Sequence, residues 1–332
     1  MGWRGILRDI QAASRQAERD AHRRQRALEK QQTLDARMQD FEQVRYEVEL
    51  YENRMELLTS VHKECGSEWD WHAIQTAPCP SVPAREDVYE QGARRALERY
   101  RPSIWDRLFR KTQAKRESLQ KAVEESRLRD KRDYHQALKD YQGSKADWEN
   151  SRQFAARILK GDVSAYTEAI RETSPFGDLT ILGSSIRFTV PNRTVVQVEL
   201  DINGEKAIPS EIHSQLKNGK LSVKPMPKTR FYEIYQAYVC GCVLRVAREL
   251  FALLPVKIVI VTALGEILNT QTGYLEQKPV LSVLIPRDTL SRIQWESVDP
   301  SDSMANFVHR MCFKKSKGLF AVEPVRLEEL RV

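Results

Sequence analysis

Leu34, Phe41, Val44, Val48, Tyr51, Met55 and Leu58 follow one another at alternating steps of three and four, with Arg37 in the one polar gap. That period is the heptad of a helix with an apolar seam. Upstream, Trp3, Leu7, Ile10, Ser14, Ala17, Ala21, Arg24 and Leu28 repeat the alternation with smaller side chains, and the step from 28 to 34 breaks the register. Residues 3 to about 63 contain no proline, so they read as one helix, roughly 90 Å long at the α-helical rise.

Gly66 ends this run, and Pro78, Pro80 and Pro83 prevent a helix from resuming before about residue 86. A short helix to Tyr100, an elbow in RPSIWDRLFRK and a second long helix over about 112–160, closed by Gly161, come next. Tyr134, Ala137, Tyr141, Ser144, Trp148, Ser151, Ala155 and Ile158 form its seam, whose earlier half carries the small Ala122 and Ser126. Large side chains facing small ones fill space well. The pattern therefore predicts a long antiparallel α-helical coiled-coil hairpin over 1–161, with its loop and elbow apex at about 64–112. In that arrangement Trp3, Leu7 and Ile10 would meet Ala155, Ile158 and Leu159 and dock the stalk onto the head, with Arg4 and Arg8 on the wet rim.

From residue 162 the pattern shifts towards a period of two. DVSAYTEAIRET reads as a short helix with Asp162 as its N-cap. LTILGSSIRFTV, TVVQVELDI and KLSVKPM read as a three-stranded meander with Asn203-Gly204 and Asn218-Gly219 as turns. Residues 229–254 are apolar on nearly all sides except Glu233, Arg245, Arg248 and Glu249, as in a central buried helix. VKIVIVTAL and PVLSVLIP read as buried strands, and DPSDSMANFVHRM as a helix capped by Asp299 with Pro300 at its first position. The expectation for 162–332 is an α+β domain of about five strands around one long buried helix.

Composition narrows the class. Of 332 residues 30% are charged, and no run of 18 uncharged apolar residues could span a bilayer. A signal peptide is not expected, and Ile6 stands where myristoylation needs Ser or Thr. Five scattered cysteines suit a reducing compartment, so the expected location is cytoplasmic. The net charge of +7 permits contact with nucleic acid or an anionic surface, although over this length it serves solubility equally well.

Several residue sets could carry chemistry. Glu199, Asp201, Lys224 and the Glu276, Gln277, Lys278 triplet are the inventory of a metal-dependent nuclease. Strand alternation explains the two acids of TVVQVELDI as a solvated face. His62, Cys65, His72 and Cys79 offer zinc donors, but without a paired C-x-x-C knuckle. Cys240 and Cys242 flank Gly241 and read as small buried hydrophobes, with the glycine admitting another backbone element. Arg107, Arg110, Lys111, Lys115 and Arg116, and separately Arg310, Lys314, Lys315 and Lys317, are candidate anion or nucleic-acid contacts. Nucleotide-binding glycine loops, the G-x-S-x-G elbow and H-E-x-x-H are missing.

No catalytic residue, metal or cofactor is assigned, and enzymatic activity stays open. The expected function is that of a non-enzymatic assembly or adaptor protein with a protein partner in a multicomponent bacterial-type system. The alternative is a nucleic-acid-binding protein, including the nuclease case; a membrane partner is not favoured.

Overall fold

A computed structural model describes residues 41–104, 111–176, 185–202 and 204–330. Trp3, Leu7, Ile10, Arg107 and Arg110 lie outside the described residues. The chain forms two compact units: one holds the described part of Met1–Ser67 together with Ile170–Val332, and the other is Glu68–Ala169. Sequence predicted a single boundary at 161/162. In this division the first helix is grouped with the sheet.

The helical unit is organised by α4 (Thr112–Lys160), with α2 (Trp71–Thr76) and α3 (Val88–Arg99) packed along it. Gly161 closes α4 in the left-handed conformation (φ 78°), its N–H bonded back to Arg157 and Ile158. Trp71 meets Phe154 edge-on, the Trp148 indole N–H donates to the Ala77 carbonyl (2.9 Å), and Asp130 reaches the start of α3. Falling residue numbers on α4 thus match rising numbers on 71–90, so the two stretches run antiparallel. Ala122, Ser126, Tyr134, Ala137, Tyr141, Trp148, Ala155 and Ile158 are all partly or fully shielded, as their seam positions require. The exposed Ser144 and Ser151 depart from that pattern.

The N-cap residue of α3, Asp87, makes no capping bond, and the cap comes from α4. The Asp130 carboxylate, 3% exposed, accepts the backbone N–H groups of Tyr89 (3.2 Å) and Glu90 (2.7 Å). A buried anion is thereby satisfied at a positive helix end.

In the other unit, α1 is helical over the described residues 41–60. Of its predicted seam Val44, Val48, Tyr51, Met55 and Leu58 are shielded while Phe41 is exposed, and the seam faces the β3–β4 hairpin (β3 Glu211–Gln215, β4 Leu221–Pro225) and the long helix of the sheet unit. Tyr51 stacks on His213 (5.5 Å), Phe41 abuts the hairpin turn at Gly219, and Arg54 donates to the Ala207 carbonyl (3.0 Å). These contacts lie within the sheet unit, and the expected coiled-coil pairing of the seam with α4 is not confirmed. Heptad spacing specifies an apolar stripe, not what covers it.

The main sheet has six strands in the order β1-β2-β5-β6-β7-β8: Ser185–Asn192, Val195–Asp201, Ile258–Leu268, Leu275–Pro286, Val308–Lys314 and Gly318–Phe320. β2 and β5 are parallel and the other pairs are antiparallel. The β2-to-β5 crossover contains the β3–β4 hairpin and α6 (Lys228–Leu253); α5 (Val163–Thr173) precedes the sheet, and α7 (Arg287–Leu290) follows β6. The parallel neighbour of β2 is thus β5, not the third strand of a meander. Continuous apolar runs such as IVIVTA suit a strand covered on both faces and belong at a sheet centre. α6 covers one face. On the other, Val325 packs with Val195, Ile260 and Leu284, and its N–H donates to the buried Ser282 hydroxyl (2.9 Å).

The expected C-terminal helix is a short 3-10 turn, Asp302–Asn306, after which Val308 enters β7. Asp299 caps the turn as predicted, accepting from Ser301 and Asp302, but pairing with β6 takes the following residues into the sheet.

Replacing Asp130 by alanine leaves one buried N–H group, that of Glu90, and one part-buried, that of Tyr89, without their charged acceptor. Urea unfolding should show the helical unit weakened by about 2–3 kcal/mol, with lost hydrogen-exchange protection at Tyr89 and Glu90. Asp130→Asn, which keeps one carbonyl acceptor, should lose less.

Candidate functional site

α1 ends on the surface of α6. Leu58, Val61 and His62 are buried, and Val61 and His62 lie 3.8 Å from where a Cβ on Gly241 would stand. Gly241 therefore admits a neighbouring segment, as its place between two small cysteines suggested. Beyond the helix end, residues 62–66 are gripped by three charged side chains of α6 at positions 245, 248 and 249. These positions share one helical face.

Arg248 Nη1 donates to the carbonyls of His62, Lys63 (2.8 Å) and Glu64 (3.5 Å), and its guanidinium lies 4.1 Å over the Trp295 ring. These carbonyls belong to the turn that follows α1, and a cation there also lies at the negative end of the helix. Arg245 Nε pairs with Glu249 at 2.7 Å, both side chains being almost wholly enclosed, and Arg245 also reaches Glu64 at 3.4 Å. The Glu249 carboxylate accepts the Gly66 N–H through both oxygens (3.0 and 3.2 Å). A Cβ at Gly66 would stand 2.9 Å from Glu249 Oε2, so the close approach depends on glycine there. At the rim, Lys63 Nζ donates to the Glu296 carbonyl (3.1 Å).

Burial sets the electrostatics. It lowers the His62 pKa, with Lys63 adding to the effect, and it lowers that of Arg248. It raises the Cys65 thiol, with Glu249 second. Cys65 is therefore held as a thiol rather than activated. The cluster's chemistry is that of an anchor: acceptor and donor groups from two distant stretches satisfy each other around an enclosed ion pair, with Lys63, Glu64 and Gly66 on its exposed side. Sequence marked Arg245, Arg248 and Glu249 as exceptions on an apolar helix without giving them a role. Their spacing of three and four was the signal that they act together.

The nuclease inventory is not gathered. Glu199 and Asp201 share the outer sheet face with Arg187, which donates to Glu199 (3.1 Å) and to both oxygens of Asp201 (2.9 and 3.2 Å). Arg187 and Glu199 of this row line a groove of about 500 Å³ with Thr189, Gln197, Thr262 and Val325. Lys224 lies on the separate β3–β4 sheet, while Glu276 is held by Asn269 and Lys278. Among the zinc candidates, His62 and Cys65 belong to the sheet unit and His72 and Cys79 to the helical unit. Burial pushes Cys240 and Cys242 up to about 12, consistent with packed thiols.

Of the basic candidates, Arg310 binds the Pro324 carbonyl and Glu329, Lys315 pairs with Glu233 at 2.9 Å, and Lys314 lies over the Phe320 ring. Lys317 is exposed, as are Lys111, Lys115 and Arg116 at the start of α4. Asp87, Glu90 and Asp130 bring three carboxylates within 4.8 Å, but Asp130 caps α3 and Glu90 binds Arg94. Among the described residues no helix is long and apolar enough to cross a membrane. Compared with protein-family models, curated proteins and solved structures, the chain gives no match.

Removing one member of the enclosed pair leaves a buried charge uncompensated. Glu249→Ala should cost about 3–5 kcal/mol in urea unfolding and speed proteolysis within 61–67. Glu249→Gln should cost less, since its amide oxygen still accepts the Gly66 N–H. Gly66→Ala should accelerate the same cleavage.

Proposed function

We propose that this chain is a non-enzymatic assembly or adaptor protein that works through protein–protein contacts in a multicomponent bacterial-type system, with α1 as its presenting element. The observation that supports this reading is a second apolar row on α1. Tyr46, Leu50 and Leu57 are 61%, 50% and 53% exposed and, at steps of four and seven, fall on one side of the helix. The seam of Val44, Val48, Tyr51, Met55 and Leu58 falls on nearly the opposite side. A helix anchored by one face and apolar on the other suits recognition by a partner helix or groove. The anchor on α6 would hold that row in place, which lowers the ordering cost of binding.

The test is co-purification of the full chain from its native host, with and without nuclease treatment, beside a Tyr46→Glu, Leu50→Glu variant. A stoichiometric protein partner should survive nuclease and be lost from the variant, while thermal unfolding of the variant stays within a few degrees of the wild type. Retention that depends on nucleic acid, together with DNA or RNA binding that falls steeply with salt, would replace this reading by the nucleic-acid one.

A further inference from the structure

The joint between α1 and α6 holds one ionisable group that its anchoring contacts leave out. His62 is 2% exposed, sits against Gly241, and has no hydrogen bond of normal geometry to either ring nitrogen. Its main chain, by contrast, is held firmly, because its carbonyl is one of those bound by Arg248. A neutral imidazole packs there as a flat, mostly apolar body. An imidazolium would need two acceptors and a counter-charge.

Three charged groups face the ring. Lys63 adjoins it on its own segment, Arg248 comes from α6, and Asp299 comes from the turn after Val298. The two cations oppose a further positive charge, whereas Asp299 and the Val298 backbone favour it. We propose that His62 makes the α1–α6 joint acid-sensitive: protonation charges a ring enclosed beside Lys63 and Arg248 and releases residues 58–66 from α6. This inference rests on the joint alone and not on the partner reading of α1.

The direction follows from linkage. Burial, and next Lys63, hold the ring's pKa in the closed joint below the ordinary 6.5, so the released state binds the proton more readily. The His62 contribution is complete above 6.5 and is lost as pH falls from there through the lowered value. One proton allows at most about a tenfold change in the opening equilibrium per pH unit.

Hydrogen exchange over residues 58–66 of the full chain, corrected for the intrinsic pH dependence of exchange, tests this between pH 7.5 and 5.0. Wild-type protection should fall below pH 6.5, approaching tenfold per unit, and His62→Leu should remove that dependence. Constant wild-type protection, or an equal fall in His62→Leu, overturns the proposal. Should His62→Leu not fold, NMR titration of the His62 ring in the wild type and in Lys63→Gln decides. A midpoint below 6.5 that Lys63→Gln moves upward supports it, and a midpoint at or above 6.5, or one the variant leaves in place, overturns it.

Discussion

The enclosed Arg245–Glu249 pair on α6 is the constraint around which the sheet unit is arranged. Taking two charges out of water costs more than their attraction returns unless further hydrogen bonds complete their shells. The Gly66 N–H and the Glu64 carboxylate do so here. Only one stretch, in one register, brings those groups to the pair, so the ion pair selects which segment lies on α6 and where. Its service is register, while the net hydrophobic gain comes from Leu58, Val61 and the ring of His62.

α6 can take this role because it is covered on both sides. The sheet occupies one side, with β5 and β6 at its centre, and the end of α1 occupies another. Its C-terminal carbonyls at Phe251 and Leu254 are bound by Arg287, whose Nε also donates to the Val256 carbonyl (2.9 Å). The polar exceptions on this apolar helix are each accounted for by a partner. Glu233 holds Lys315, and Arg245, Arg248 and Glu249 hold residues 62–66.

The helical unit uses the same device with the signs reversed. An anion from α4, Asp130, meets the N–H groups that open α3, as a cation from α6, Arg248, meets carbonyls of the turn just past the end of α1. In both cases a charged side chain from a long helix binds backbone groups at or just beyond the end of another helix. Such ends are where backbone groups lack intrahelical partners, so they are natural points at which to join elements distant in sequence.

Local signals in the sequence determined much of the element list. Gly161 fixed the end of α4 because its left-handed cap needs no distant partner, Asp162 and Asp299 declared their caps, and the seam periods named the shielded faces of α1 and α4. Alternation along β2 likewise separated Val196, Val198 and Leu200 from the ion-paired Glu199 and Asp201. What covers each face was decided only in three dimensions. A heptad stripe is equally satisfied by another helix or by a hairpin and α6, and a mixed run such as VHRM, with a single β-branched residue, becomes strand once β6 offers an open edge. Pairing across some 180 residues, as between Gly66 and Glu249, leaves no periodic trace in a single chain, because it depends on the net balance of desolvation, hydrogen bonding and packing in the assembled contact.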